Sequence, residues 1–357
     1  MNEVPTFEEC LSLCERETAY SHSVQTVSGK EVHSFKYNLQ KPFKEMYKPY
    51  LDEGINALAL RGITFIDGEV VALGPDKFFN QGENEIATFP KEVEGILEKI
   101  DGSLIQVFLI EDHLEVKTQK SAHSDVANHC REYFKTRDDL RSLCRALLER
   151  NMSPYFEFVS DKNRIVLDYG KTDMYFLGAR NMVTGETSYP WNLYLSESIS
   201  IPRLLEGSEL ESYLERTDVE GVVVIGKSHL IKMKTDTYCQ LHRVLDIRTN
   251  KHMCDHYQSK GGFDDAIGLL SRYNLENDIE SLKRFEQGYL KNYNDLLLDV
   301  EDLCVRYKGT RKEVAIAMNT DNVDGKMRAL VFLRLDRKDL HPSIERILFE
   351  YYRALDK

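Results

Sequence analysis

Short runs rich in β-branched and aromatic residues, joined by connections of hairpin length, fill the chain up to about residue 245. Connections that brief suit antiparallel neighbours and leave no room for the crossover that a parallel pair needs. The stretch RGITFIDGEVVALG reads as strand, Asp-Gly turn and strand, a strong short-range hairpin signal. SLIQVFLIEDHLEVKTQ, YFEFVS, RIVLDYG, DMYFLGARN, EGVVVIG and HLIKMKT read as further strands bounded by turn residues. Between them, RDDLRSLCRALLERN sets Leu140, Leu143, Cys144, Leu147 and Leu148 on one helical face. An antiparallel sheet is favoured over a doubly wound parallel one.

Beyond about residue 250 the apolar period lengthens to three and four. In DIESLKRFEQGYLKNYNDLLLDVEDLCVRYKG the spacing from Leu282 through Phe285, Tyr289 and Val300 to Tyr307 predicts one long amphipathic helix, or two in sequence, ended by Gly309. HPSIERILFEYYRAL predicts a closing helix entered through Pro342. Neither a low-complexity linker nor an internal repeat interrupts the chain. The expected fold class is therefore α+β, an antiparallel-sheet domain over residues 1–248 followed by an all-α C-terminal domain over residues 249–357.

A length of 357 residues suits two such domains. No apolar run approaches the roughly 20 residues of a membrane span, and the first residues carry acids where a secretion signal carries basic residues. The expected location is the cytoplasm (the host's, for a phage-encoded chain). Seven cysteines without a Cys-x-x-Cys pair point to reduced thiols. Cys10 and Cys14 would share a helical face, for which packing is the simpler reading than metal. The net charge of −12 opposes non-specific coating of nucleic acid. It does not oppose a basic cleft within an acidic surface, because phosphate responds to the local field. No Gly-x-x-x-x-Gly-Lys-Ser/Thr loop is present, nor a Gly-x-Gly-x-x-Gly following a strand.

The segment EKIDGSLI, residues 98–105, places Lys99 two positions before an Asp-Gly pair at the mouth of an apolar run. A hairpin turn explains the pair by itself; the surroundings ask for more. Arg61, Lys77, Glu157, Glu220, Lys232 and Lys234 each stand in or beside an otherwise apolar strand. A charge there is costly unless it is paired or faces a polar cleft, so these strands are expected to converge on one polar site.

Taken in order, RGITF, KFFN, KIDGS, YFEFV, NRIVLDY, EGVVV and KMKTDTY over about residues 35 to 245 resemble the motifs of the covalent nucleotidyltransferase superfamily of ligases and capping enzymes. Within it the chain is similar to the RNA ligase 1 family of T-even phage type. The helical tail fits that family, whereas DNA ligases and capping enzymes usually continue into an OB-fold rich in short strands.

The resemblance implies an ATP-dependent RNA ligase that works through a covalent lysyl-AMP and an RNA-adenylate, in RNA repair with broken tRNA loops among the substrates. Its partners would be RNA and ATP, its cofactor Mg²⁺ with Mn²⁺ as a substitute, and nothing in the chain demands more than a monomer. Lys99 would be the nucleophile. A free lysine has a pKa of about 10.4, so on the order of one molecule in a thousand is unprotonated at neutral pH. Lys232, Lys234 and a metal ion would depress that pKa and hold the triphosphate. Glu157 would accept from the ribose hydroxyl and Glu220 would hold the metal. Arg61 would contact the nucleotide sugar; Lys77 and Tyr37 the phosphates, with Tyr238 nearby. Phe79 or Phe176 would pack on adenine, although either fits the core equally well. Gly102 would let the backbone approach the nucleotide, and Asp101 would orient the lysine or metal, or simply shape the turn. Asp264 and Asp265 resemble a second metal site, and an acidic pair at a helix N-terminus explains them too.

One departure stands out. After the nucleophile strand the family usually reads Lys-Ser-Lys-Gly-Ser, whereas KTQKSA keeps Lys117 and puts Gln119 in the second lysine's place, with Lys120 next to it. Lys120 would substitute from the next position, although strand neighbours point to opposite faces. Two other readings remain open: a DNA ligase or capping-type enzyme, and a non-catalytic RNA-binding relative.

Overall fold

The computed structural model describes residues 4–38, 42–273 and 275–356. It divides into two units, Met1–Cys239 and Gln240–Lys357.

The first unit opens on α1 (Phe7–Arg16), started by a capping box in which Thr6 and Glu9 each accept the other's backbone N–H. Strands β1 (Tyr20–Val27), β2 (Lys30–Tyr37), β3 (Arg61–Ile66) and β4 (Glu69–Ala72) form an antiparallel sheet in chain order, with α2 (Phe43–Glu53) inserted after β2. Asp67 and Gly68, which join β3 to β4, both have positive φ, 52° and 84°, as the tight hairpin turn requires. Cys10 and Leu13 of α1 share an apolar cluster with Phe35, Ile63 and Phe65, and Cys14 packs at its margin. The cysteine pair is part of the packing.

The remaining strands are β5 (Phe79–Asn80), β6 (Val93–Lys99), β7 (Ser103–Ile110), β8 (His113–Thr118), β9 (Met152–Val159), β10 (Asp173–Asn181), β11 (Thr187–Ser188), β12 (Leu204–Leu205), β13 (Gly221–Gly226) and β14 (Leu230–Lys234). They build two sheets, in the order β11-β10-β9-β7-β8 and β12-β6-β13-β14-β5. Among the described residues every pairing is antiparallel except β14 with β5. Helices α3 (Asp125–Lys135) and α4 (Asp138–Leu148) cover the sheet that holds β9, burying Phe134, Leu140 and Cys144 with Ile105, Phe156, Phe158 and Phe176. A short α5 (Leu210–Leu214) packs on β13.

α6 (Asp236–Leu245) runs through the division between the units. The second unit consists of α7 (Asn250–Lys260), α8 (Asp264–Arg272), α9 (Glu276–Arg306), α10 (Arg311–Thr320), α11 (Gly325–Leu335) and α12 (His341–Leu355). Helices α7, α8, α11 and α12 all pack on α9, with Phe263, Phe285, Tyr289 and Tyr352 in mutual ring contact. The fold class is α+β with antiparallel sheets and a helical C-terminal region.

Three local expectations are corrected. Asp101-Gly102 is no hairpin turn: β6 and β7 belong to different sheets, so residues 100–102 carry the chain from one to the other. RIVLDYG is not a strand. The backbone N–H groups of Val166 and Leu167 donate to the Asp101 carboxylate instead of to a strand, both at 2.8 Å. And α9 is a single helix that stops at Arg306 before Gly309; its C-cap, Tyr307, donates its N–H to Leu303.

Candidate active site

Pairing places Lys99, at the end of β6, opposite Gly221, and Gly221 opposite Lys234 of β14. Glu220, immediately before β13, therefore lies between two lysines. Its Oε2 is 2.8 Å from Lys99 Nζ and its Oε1 is 2.8 Å from Lys234 Nζ. The glutamate side chain is 3% exposed and that of Lys99 21%, so the carboxylate is buried while the lysine side chain borders the cavity. Two charge-assisted bonds compensate a carboxylate that would otherwise be expensive to bury.

Glu157 reaches the same place from the other sheet. It stands in β9 opposite Leu104 of β7. The crossing at Gly102 brings the two sheets together: a Cβ there would lie 2.4 Å from the Phe158 carbonyl oxygen and 3.1 Å from Glu157 Cγ. The glycine is required by the close approach of β9 rather than by a turn conformation.

The electrostatics differ from the sequence expectation. Burial alone would lower the Lys99 pKa, but Glu220, Glu157 and Asp101 together outweigh it and hold the ammonium above its ordinary value. The depression falls on Lys232, pushed down to about 8 by burial and then by Lys77, Lys99, Lys234 and Arg61. Glu157 is pushed up to about 7, by burial first and also by Glu220, against the pull of Lys99 and Arg61. A cluster of cations thus surrounds two acids, one of which changes charge near neutral pH.

A cavity of about 400 Å³ opens on this cluster, lined by Arg61, Lys99, Gly102 and Glu157, with apolar walls that include Leu97, Leu177 and Val223. That composition suits a ligand with one flat apolar part and one anionic part. Lys232 and Lys234 adjoin it through their neighbours without lining it. Gln119 and Lys120 both line it. They stand beyond the end of β8, so strand alternation does not govern them and the pair offers an amide and an amine together.

The aromatic positions resolve differently from the sequence reading. Phe176 is fully buried in the core cluster of its sheet, and its neighbour Leu177 faces the cavity. Phe79 is 3% exposed, sits opposite Ile231 across the β5–β14 pair and faces a second cavity. Phe78 lines the Lys99 cavity, with the Arg61 guanidinium 4.8 Å from its ring centre. Lys77 holds its ammonium 4.5 Å over the Tyr37 ring and 4.9 Å over the Phe79 ring, beside the second cavity.

Two predicted residues act beneath the surface of the site. Lys117 is 1% exposed and donates to the Gly62 carbonyl at 3.0 Å and to Thr64 Oγ1 at 2.7 Å; burial pushes its pKa down to about 7. It braces β3, next to Arg61. Asp101 is 4% exposed; besides the two amides of the 166–167 segment it accepts from the Tyr238 hydroxyl at 2.6 Å, and its own N–H donates to the Tyr169 hydroxyl at 2.8 Å. Asp101 thus ties a loop and α6 to the lysine-bearing segment. The Lys234 ammonium lies 4.7 Å over the Tyr238 ring. Sequence reasoning missed Arg180, which is buried in β10 and ion-paired with Asp76 at 2.5 Å.

A family model described as RNA ligase matches residues 59–238. The chain belongs to the RNA ligase family. The matched segment carries every site residue described above from Arg61 to Tyr238, and leaves Tyr37 outside. A protein of Thermovibrio ammonificans named "Putative RNA ligase" is 28% identical over 200 residues, covering 51% of this chain and 52% of that protein. A protein of Autographa californica nuclear polyhedrosis virus, named "Putative bifunctional polynucleotide kinase/RNA ligase", is 26% identical over 199 residues, covering 50% of this chain and 28% of that protein. The match spans about half the length of the first curated relative. Among solved structures, an archaeal ATP-dependent RNA ligase covers 80% of this chain and 77% of its own, at 13% identity and a TM-score of 0.46.

Within this RNA ligase-family chain the donor set suits a hard dication only in part. Such an ion, if it keeps several waters and binds substrate phosphate, needs just one or two carboxylates. Glu220, with Glu157 in the same field, provides that number. No cluster of three or more His, Cys, Asp or Glu positioned for a metal occurs among the described residues. Asp264 and Asp265 occupy the first turn of α8 and are exposed, where acids favour the positive end of the helix dipole. No helix of the described residues is long and apolar enough to cross a membrane.

Proposed function

We propose that this chain is an ATP-dependent RNA ligase in which Lys99 is the nucleophile. The observation that carries the reading is an amine at the edge of a 400 Å³ cavity lined also by Arg61, held by a Glu220 carboxylate that it shares with Lys234, with Lys232 close by. Lys99 Nζ attacks the α-phosphorus of ATP; the bond to the β-phosphate breaks, pyrophosphate leaves and the amine gives up its proton. AMP then passes to an RNA 5′-phosphate, which breaks the N–P bond and restores the amine. The RNA 3′-hydroxyl displaces AMP and closes the phosphodiester.

The surrounding residues divide that work. Lys232, Lys234 and Lys77 offset triphosphate charge, and Arg61 and Glu157 hold the sugar, Glu157 as a ribose acceptor when ionised. Glu220, drawn to a metal ion, would move its carboxylate away from Lys99 and so favour the neutral amine. Glu220 would hold Mg²⁺ or Mn²⁺ together with phosphate oxygens; bound there, the ion supplies charge neutralisation at the α-phosphoryl group and pyrophosphate. We assign the natural substrates to broken single-stranded RNA, tRNA loops included. A relative whose name couples a polynucleotide kinase to an RNA ligase supports a role in end repair.

A 5′-labelled, 3′-hydroxyl RNA incubated with ATP and Mg²⁺ tests this. The expected result is circular or end-joined RNA, with no joining when GTP replaces ATP and much less on nicked DNA. Sealing of nicked DNA with RNA left unjoined would contradict the RNA assignment.

A further inference from the structure

The second cavity, of about 730 Å³, lies beside the first and shares Pro75, Phe78, Tyr189 and Leu230 with it. One of its walls is an aromatic ladder on α2. Phe43 and Tyr47 stack with ring centres 5.0 Å apart at 19°, and Tyr47 and Tyr50 stack at 4.9 Å and 19°. The ladder's inner end is fixed edge-on by Phe79, 4.9 Å from Phe43. Tyr47 and Tyr50 line the cavity and are only half-buried. Residues three and four apart meet on one helical face, so the stack follows from their spacing in FKEMYKPY. Packing alone does not call for two half-exposed phenol rings set parallel on a cavity wall.

The charges on the cavity walls are balanced. Asp76, Glu94 and Glu186 stand against Lys77, Arg180 and Lys227, and Asp76 is paired with Arg180. A wall with that balance does not select the anionic part of a nucleotide. Flat aromatic rings favour its uncharged part, since every nucleobase presents a face for stacking. The cavity around Lys99 has its own apolar walls for an adenine, so the ladder is left for a second base close to the reacting phosphate.

We propose that Tyr50, backed by Tyr47 and Phe43, forms a stacking platform for the terminal base of the single-stranded RNA end that is joined. The assignment rests on the RNA ligase reading for the identity of the strand. Because stacking does not depend on base-edge hydrogen bonds, the platform accepts any end sequence, with purines held more firmly than pyrimidines through their larger rings.

The test uses a fluorescent 5′-phosphorylated single-stranded oligoribonucleotide in anisotropy titrations with the full chain, alongside transfer of label from ATP to the protein. Tyr47→Ala/Tyr50→Ala and Tyr47→Leu/Tyr50→Leu are each expected to weaken RNA binding at least tenfold. Tyr47→Phe/Tyr50→Phe is expected to stay within about threefold of the wild type. The leucine pair keeps apolar volume, so a loss shared by the alanine and leucine variants with unchanged melting of the leucine protein separates stacking from folding. Self-labelling is expected to remain at the wild-type level in all three, which places the effect on RNA and not on ATP. Wild-type RNA affinity in the leucine variant, or equal losses in RNA binding and self-labelling, would overturn the platform. A wild-type protein that takes no label yet loses RNA binding with the ladder would refute the ligase reading and leave the platform standing.

Discussion

The amine of Lys99 and the carboxylate of Glu220 lie 2.8 Å apart, with the carboxylate almost fully buried and its other oxygen bound to Lys234. This bridge holds Lys99 in its charged form, so the site must release the amine before it can react. Removing the carboxylate charge separates its two roles. Glu220→Gln is expected to reduce the rate of self-labelling by ATP by about 100-fold or more, because a developing charge loses its partner. At the same time the residual rate should rise at lower pH. The carboxylate raises the Lys99 pKa, so its removal lowers that pKa and the acid limb of the pH–rate profile moves to lower pH. A Glu220→Gln profile superimposable on the wild type would show that Glu220 does not control the lysine.

Asp101 organises the chain behind the lysine. It accepts from Val166, Leu167 and Tyr238, and an amide in its place would turn an NH₂ group toward donors. Asp101→Asn is expected to cost about 2–4 kcal/mol of stability. Hydrogen exchange of the 166 and 167 amides should accelerate with it. Unchanged protection at those two amides would contradict the anchoring role.

Lys117 gives a pH signature of its own. Its folded-state pKa is depressed to about 7 from an ordinary 10.5 by burial. Between those values the unfolded chain binds the proton and the folded chain does not, so stability rises with pH, by up to about 1.4 kcal/mol per unit. Below pH 7 both states are protonated and the rise is absent. Lys117→Met is expected to remove this slope between about pH 7 and 8 and to reduce it above, where Lys232 contributes in the same sense, read as the difference in urea midpoint between pH 7 and 8. A slope retained over that interval in the variant would assign it to other groups.

The sequence carries the polar skeleton of the site more clearly than its walls. Lys99, Glu157, Glu220, Lys232 and Lys234 could be read because a charge inside an apolar strand must be satisfied, and five of them on four runs point to one place. KFFN could not disclose which phenylalanine faces the ligand. That choice follows from the parallel pairing of Phe79 with Ile231, which turns Phe78 toward the Lys99 cavity. RIVLDYG has strand composition, and its backbone bonds are captured by a carboxylate 65 residues earlier, a relation no local pattern carries. Arg180 looked like one more residue of a strand, and only its burial beside Asp76 shows it to be a brace. The β1–β2 hairpin escaped notice because His, Ser, Gln and Lys dilute its alternation. Sequence order shows the cations near Lys99 and hides the carboxylate that reaches the amine.

The central claim is that one amine, Lys99 Nζ, becomes bonded to phosphorus. Incubating the protein with ATP and Mg²⁺, quenching under mildly basic conditions that preserve a phosphoramidate and mapping peptides by mass spectrometry tests it directly. The expected result is a single AMP adduct on the peptide that contains Lys99, discharged by acid and absent from Lys99→Ala. An adduct on another residue, or equal labelling of Lys99→Ala, would contradict the account.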